Sequence, residues 1–382
     1  MNEHPVLLEG DAPVCALVSE LIRSNEPIAV DLEADGMWAF RSSIRVVQLA
    51  TRTATFVIDP TTMSDLTALA PLFSAQAPVT IFHDVSSDAR LLWESPLGAA
   101  GRIFDTQVAA RFLGFTRLGL AAIAEGLLGV HLDKGLQTHD WRKRPLTADH
   151  LKYLAGDVVH LHEICDILSA RIVEADLTDA VLEETRYVVS QALASVQDFR
   201  ATPAWARVKG IGGLSEAQLA RVRSFANARA RIAAIHDVPE TRLIANDALL
   251  WMSRHPQAVL EDAKAIRAKC SAEEREWILE AARDALRPQS LPEEERSFIP
   301  RHERDAEDRV RQRLESALTG FRAAEAAASQ RDLQAVLPGH CVRDLARLRP
   351  QNTAELQEVP GFGHFRVERY GTAILALLAV ES

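Results

Sequence analysis

The chain has 382 residues, of which 47% are hydrophobic and 25% charged, enough for two or three domains with real cores. Its net charge of −10 argues against a bulk nucleic-acid coat protein, and no apolar run approaches membrane-spanning length. The acidity is uneven: residues 1–200 hold 16 Lys/Arg against 27 Asp/Glu, while residues 201–382 hold 27 against 26. The predicted elements begin with a helix carrying Val14, Leu17, Val18, Leu21 and Ile22, with Asp11 as its cap. Strand-like runs follow at 28–32, 44–50 and 55–59, then a helix over 65–73 and a strand over 78–82. Strands joined as hairpins, then strand–helix alternation, predict an α/β domain with a mixed sheet.

From Leu118 onward the pattern is helical. Residues 146–168 read as one helix, with Leu151, Leu154, Val158, Leu161, Ile164 and Leu168 as a single apolar stripe. Capping boxes are expected at Ser215/Gln218 and Ser271/Glu274. Three prolines and an acidic cluster in "RPQSLPEEERSFIP" (287–300) read as a linker between two helical pieces, and "RHPQ" (254–257) and "LRPQ" (348–351) hint at a duplication. Cys15, Cys165, Cys270 and Cys341 show no C-x-x-C spacing, so neither zinc nor a disulfide framework is expected. The beginning of the chain lacks a secretory pattern, and a cytoplasmic protein is expected.

"IAVDLEAD" (28–35) ends a buried-strand pattern in three acids, which is costly unless a cation meets them. In a strand, Asp31 and Glu33 point to one face about 6.5–7 Å apart, a spacing compatible with shared metal ions. Asp35 shares the parity but is expected in a turn. Asp88 falls in the first turn of a helix opened by "FHDVSSDARLL". Tyr153 and Asp157 share a helical face by their i,i+4 spacing, with Gly156 beside them. Asp105 in "FDTQ" is expected to cap a helix.

A D-x-E strand, a strand-to-helix Asp and a late helical Y-x-x-x-D resemble, in that order, the DEDD superfamily of 3′→5′ exonucleases in its tyrosine subclass. The runs "VDLEAD…IRVVQLATRTATFVIDP", "FDTQVAARFLG", "LDKGLQTHDWRKRPLT" and "HLKYLAGDVVHL" are similar to ribonuclease D over residues 5–170. "VPGFGHFRVERYGTAILALL" (359–378) resembles an HRDC domain, and the preceding helical piece looks like a divergent one. Leu32 stands where many relatives carry Thr. The resemblance implies a ribonuclease-H-like α/β exonuclease domain (1–200), a first HRDC domain (201–290), a linker (291–300) and a second HRDC-like domain (301–382).

It also implies two divalent ions, Mg²⁺ or Mn²⁺, held by Asp31, Glu33, Asp88 and Asp157, with Tyr153 orienting the attacking water. The implied reaction trims 3′ ends of tRNA precursors and other small structured RNAs to nucleoside 5′-monophosphates. No membrane and no obligate protein partner are expected. A DNA 3′→5′ exonuclease and a non-catalytic nucleic-acid-binding scaffold remain the alternatives; the acids do not separate RNA from DNA. For RNA contacts the candidates are His83 and, in the loop before the Tyr153 helix, Gln137, Trp141, Arg142, Lys143 and Arg144. Residues 205–231 add a +5 balance that includes Arg221, Arg223 and Arg229. Gly361-Phe362-Gly363 fits a tight turn better than a phosphate cradle.

Overall fold

The computed structural model describes residues 5–99, 101–133, 135–262, 266, 270–300 and 306–381. Six strands form one mixed sheet in the order β1-β4-β3-β2-β5-β6: β1 Val6–Glu9, β2 Ile28–Ala34, β3 Ile44–Ala50, β4 Thr55–Asp59, β5 Thr80–Phe82 and β6 Ile103–Asp105. β2, β3 and β4 run antiparallel, whereas β1, β5 and β6 join parallel to their neighbours. The mixed sheet expected from the sequence is therefore present. β1 was not foreseen, because its four residues are only partly covered and lack a strong alternation.

Strand alternation divides the sheet's side chains between two cores. Val30, Leu32, Val47, Leu49 and Ile58 pack with Val14, Val18 and Leu21 of α1 (Asp11–Ser24) and with Val85, Ala89 and Leu92 of α2 (Val85–Glu94). On the other face, Ala29, Ala50 and Ile81 meet Val158 and Leu161, and Val46 and Val57 meet Trp141, Tyr153 and Leu154. Asp31 and Glu33 belong to this second face. Leu66–Phe73, expected as an α-helix, is a 3₁₀ helix containing Pro71, which has no N–H to give an α-helical bond. Asp11 lies inside the first turn of α1 behind Gly10 and accepts from Ser64 rather than capping the helix.

Helix α3 spans Thr106–Phe112 and α4 Leu120–Leu128. The single helix expected over 146–168 is two: α5 (Ala148–Gly156) and α6 (Leu161–Glu174). Between them the N–H groups of both Val158 and Val159 turn to the Ala155 carbonyl, and Leu161 bonds to Val158. The apolar stripe continues across the break, which is why periodicity alone does not reveal it. No helix among the described residues is long and apolar enough to cross a membrane.

The described residues of 1–34, 44–195 and 304–382 form one compact unit, and those of 35–43 and 196–303 form another. In the second unit, α8 (Glu216–Ile235), α9 (Glu240–Leu243), α10 (Asn246–Arg254), α11 (Pro256–Glu261) and α12 (Ala272–Ala285) bury Trp205, Phe225, Ile232, Leu249 and Ile278. Both expected capping boxes are formed. Residues 291–300 are ordered in this unit: Leu291 is buried, and Glu295 accepts from the Trp205 indole and the Arg223 guanidinium.

In the first unit, α13 (Ala306–Ser329), α14 (Leu333–Val336), α15 (Gly339–Leu348), α16 (Thr353–Gln357) and α17 (Gly363–Glu381) repeat the same order of a long helix, a four-residue one, a medium one, a short one and a long one. These helices pack on α6 and on α7 (Thr178–Ala201). Arg331 donates to the Ala175 carbonyl, His340 meets Glu184 at 3.1 Å, and Glu183 accepts from the Phe365 N–H. Residues 301–305, where the second module was expected to begin, lie outside the described residues.

Candidate active site

One carboxylate oxygen from each of Asp31, Glu33 and Asp157 lies within 4.8 Å of the others. β2 delivers the first two by its period of two, and the C-cap of α5 delivers the third. Asp88, 6% exposed in the first turn of α2, stands outside this trio but is the foremost charge acting on Asp31. Tyr153 lies one helical turn before Asp157 and feels the charges of Asp157, Glu33 and Asp31.

Asp105 fixes the position of Asp88. It caps α3 by accepting from the N–H groups of Gln107 and Val108, and also accepts from Asp84 and Val85 at 3.1 and 2.9 Å. That holds Asp84 in a left-handed conformation and sets where α2 begins. Asp105 is thus a cap, as its sequence context suggested. Asp35 is fully buried and accepts from the Ser43 N–H at 2.7 Å, closing the turn 35–43.

The four carboxyls are held well above the ordinary carboxylate range. Burial is the main cause throughout. At Asp31 the charges of Asp88, Asp157 and Glu33 add to it. Glu33 is pushed up to about 8 by burial, then by Asp157 and Asp88, and Asp88 to about 8 by burial, then by Asp84 and Asp105. Burial alone takes Asp157 to about 7. Burial and the same acids raise the Tyr153 phenol, so it stays protonated at neutral pH. Among the described residues, no cationic side chain figures in the main influences on any of the four. Unpaired carboxylates buried together are expensive. Hard oxygen donors converging without a cationic side chain are a donor set suited to Mg²⁺ or Mn²⁺, so these residues fit divalent ions.

The proposed RNA-contact residues divide. Arg144 is an internal tie, bonded to Asp59 and to the carbonyls of Trp141 and Arg45. Arg229 is 1% exposed and bonds Glu240, Asn246 and the Ile244 carbonyl; a count of charges along the chain cannot see that it belongs to a core. Arg223 is paired with Glu295, and Arg142 with Asp140. His83 is half-buried, its Nδ1 bonded to the Thr106 hydroxyl, whose own proton goes to the Phe82 carbonyl. Gln137 and Lys143 are exposed, and Arg221 is half-exposed.

Trp141 is 1% exposed and packs beside Tyr153, with ring centroids 6.0 Å apart. Its indole N–H makes no hydrogen bond within normal geometry among the described residues, but it is near enough to Glu33 to favour that carboxylate's charge. The sequence reading missed Gln48, which pairs with Asp31 across β2 and β3 and is wholly buried. A lone polar residue in the apolar run 46–50, with the parity of Asp31's partner, was the available signal.

Residues 12–173 match the family model for 3′-5′ exonuclease domains, and residues 311–378 match the HRDC domain. The chain therefore carries an exonuclease domain followed by an HRDC domain. It is homologous to proteins named ribonuclease D: 32% identical to that of Acidiphilium cryptum over 64% of this chain and 62% of that one. It is also 28% identical to that of Nitrobacter hamburgensis over 96% and 92% of the two chains. The fold matches the crystal structure of Escherichia coli RNase D, described as an exoribonuclease involved in structured RNA processing, with a TM-score of 0.75 at 22% identity. That match covers 100% of this chain and 99% of that one.

Proposed function

We propose that this chain is a cytoplasmic, divalent-cation-dependent 3′→5′ exoribonuclease of the tyrosine subclass. It would release nucleoside 5′-monophosphates one at a time from the 3′ ends of tRNA precursors and other small structured RNAs. The convergence of Asp31, Glu33 and Asp157 within 4.8 Å, with Asp88 beside Asp31, carries the reading. The exonuclease-family match and the ribonuclease D relatives support it.

Asp31, Glu33, Asp88 and Asp157 would hold the cations, which supply an activated water and charge stabilisation at the scissile phosphate. The four carboxyls give up their protons to do so. Tyr153, kept neutral by burial and by the acids, orients the water by hydrogen bonding; a phenol with a raised pKa is a poor general base. Trp141 packs against Tyr153 and so helps to fix the phenol beside the acids. Lys143 and Gln137, exposed in the loop before α5, are the phosphate contacts of this domain. In the second unit, Arg221 lines a shallow pocket with Gln218, Leu214, Ser253 and Arg254 and provides another. We read 201–290 as a second, divergent HRDC module, on the strength of its matching helix order.

Precursor tRNA with a short 3′ extension, offered beside a DNA strand of the same sequence, tests this. Stepwise RNA shortening with Mg²⁺ or Mn²⁺, stopped by chelator and by Asp31→Asn, is expected. Shortening of DNA in preference would move the activity to DNA, and shortening that survives both treatments would refute the site.

A further inference from the structure

Gln48 is 0% exposed, and neither its Nε2 nor its Oε1 finds a hydrogen-bond partner among the described residues. Almost every buried amide in a folded protein is satisfied, so an orphan on a central strand calls for a reason. The strand register supplies the setting. Gln48 of β3 lies directly opposite Asp31 of β2 and, on its other side, opposite Val57 of β4. Directly opposed residues share a sheet face, with Cβ atoms about 4.5–5.5 Å apart. The same face carries Ala29, Glu33, Val46 and Ala50, covered by Leu154, Val158 and Leu161. On this face the carboxylates of Asp31 and Glu33 can accept from the amide, and the Trp141 indole and Tyr153 hydroxyl, packed with Val46 and Val57, are the other polar groups; Asp31 is the one directly opposite.

We propose that Gln48 is a positioning residue for the cation site, and that its Nε2–H donates to the Asp31 carboxylate when a divalent ion is bound. The inference rests on the metal-dependent reading above and extends it to the strand beside the ligands. A donor here fixes the rotation of the Asp31 carboxylate, as outer-shell partners do at other metal centres. An amide suits the place better than Lys or Arg, because it orients the carboxylate without cancelling the charge that the cation needs. In the cation-free protein the amide has no hydrogen-bond partner among the described residues. Gln48 is therefore a group that costs stability in the free protein and serves the loaded one.

Those two effects have opposite signs, which makes the test specific. Gln48→Leu and Gln48→Met remove both polar atoms at similar volume. The full chain, without RNA, is titrated with Mn²⁺ and followed by electron paramagnetic resonance, and cation-free samples are melted in parallel. Both variants should melt at or above the wild-type temperature without metal and bind Mn²⁺ at least about 10-fold more weakly. Mn²⁺ affinity within twofold of wild type would overturn the proposal, as would a variant that melts lower and binds normally. Asp31→Asn is the control. If wild type itself binds no Mn²⁺, the metal-dependent reading has failed; if wild type binds and the Gln48 variants match it, only the role of Gln48 has failed.

Discussion

Arg144, in the loop before α5, donates from Nε and Nη2 to the two carboxylate oxygens of Asp59 at the end of β4, the second bond being 2.8 Å. The same guanidinium holds the carbonyls of Trp141 and Arg45. Burial opposes charge on Asp59, but bonds from Arg144 and Thr61 outweigh it and keep its pKa below the usual range. The pair therefore fastens the loop that places Trp141 beside Glu33. Arg144→Ala would strand Asp59 in the interior, a loss of about 3 kcal/mol or more. A lower melting temperature and lower activity are expected, with the salt dependence of RNA binding unchanged. Lys143→Ala should do the reverse, leaving melting intact and reducing the salt slope by about one phosphate contact. A flattened salt slope for Arg144→Ala would return it to the RNA surface.

Asp31 is the acid on which its three neighbours all press. Folding without a cation obliges Asp31 either to take up a proton or to bury a charge among like charges, and Asn carries neither cost, so the cation-free protein should melt higher. Added Mn²⁺, which should raise the wild-type melting temperature, should then have little effect. Activity should fall on the order of 10³-fold, the scale for losing a main electrostatic element of a site. Differential scanning fluorimetry with and without Mn²⁺, beside an exonuclease assay, checks all three. A variant that melts lower without metal would contradict the electrostatic account.

The sign of the pH dependence follows from the direction of the carboxyl shifts. Glu33 and Asp88 are raised to about 8 and Asp157 to about 7, above the ordinary values of the unfolded chain. An acid whose folded pKa lies above its unfolded one binds more protons folded, so its contribution to stability is complete below the unfolded value. That contribution is lost as pH rises toward the folded pKa. The cation-free protein should accordingly lose melting temperature between about pH 4 and pH 8 from these groups. Mn²⁺ affinity should climb over the upper part of that window, with proton release on binding. Calorimetric titration in two buffers of different ionisation heat measures the released protons; binding with no proton release would exclude the raised pKa values.

How far the sequence revealed this site depended on which contacts are local. Asp31 and Glu33 share a face because the strand period is two, and Tyr153 and Asp157 because the helix period is close to four; both rules act within a few residues. Gln48 stands out locally as a lone polar residue in an apolar run, but that it faces Asp31 depends on the β2–β3 register. Arg229 read as surface charge because burial depends on Glu240 and Asn246 folding over it. Glu183 and Glu184 carry no local mark of their role. Their partners, Phe365, His340 and Arg366, lie more than 150 residues further along the chain.

Those same glutamates bear on how the C-terminal helices stay in place. Gly361 and Gly363 both have φ +69°, so the expected tight turn is present. A Cβ on Gly363 would collide with the Glu183 carboxylate, the group that accepts from the Phe365 N–H at the start of α17. Negative charge at that helix N-terminus is thus already supplied by the chain. Gly363→Ala combines an unfavourable left-handed φ with this collision, and both oppose docking of α13–α17 on α7. Faster amide exchange in 306–381 is expected, with the β2 and β3 amides unchanged under the same conditions. Glu183→Gln keeps the shape and the acceptor while removing the charge, so a much smaller effect is expected. Equal protection of 306–381 in wild type and Gly363→Ala would show that the turn does not hold these helices in place.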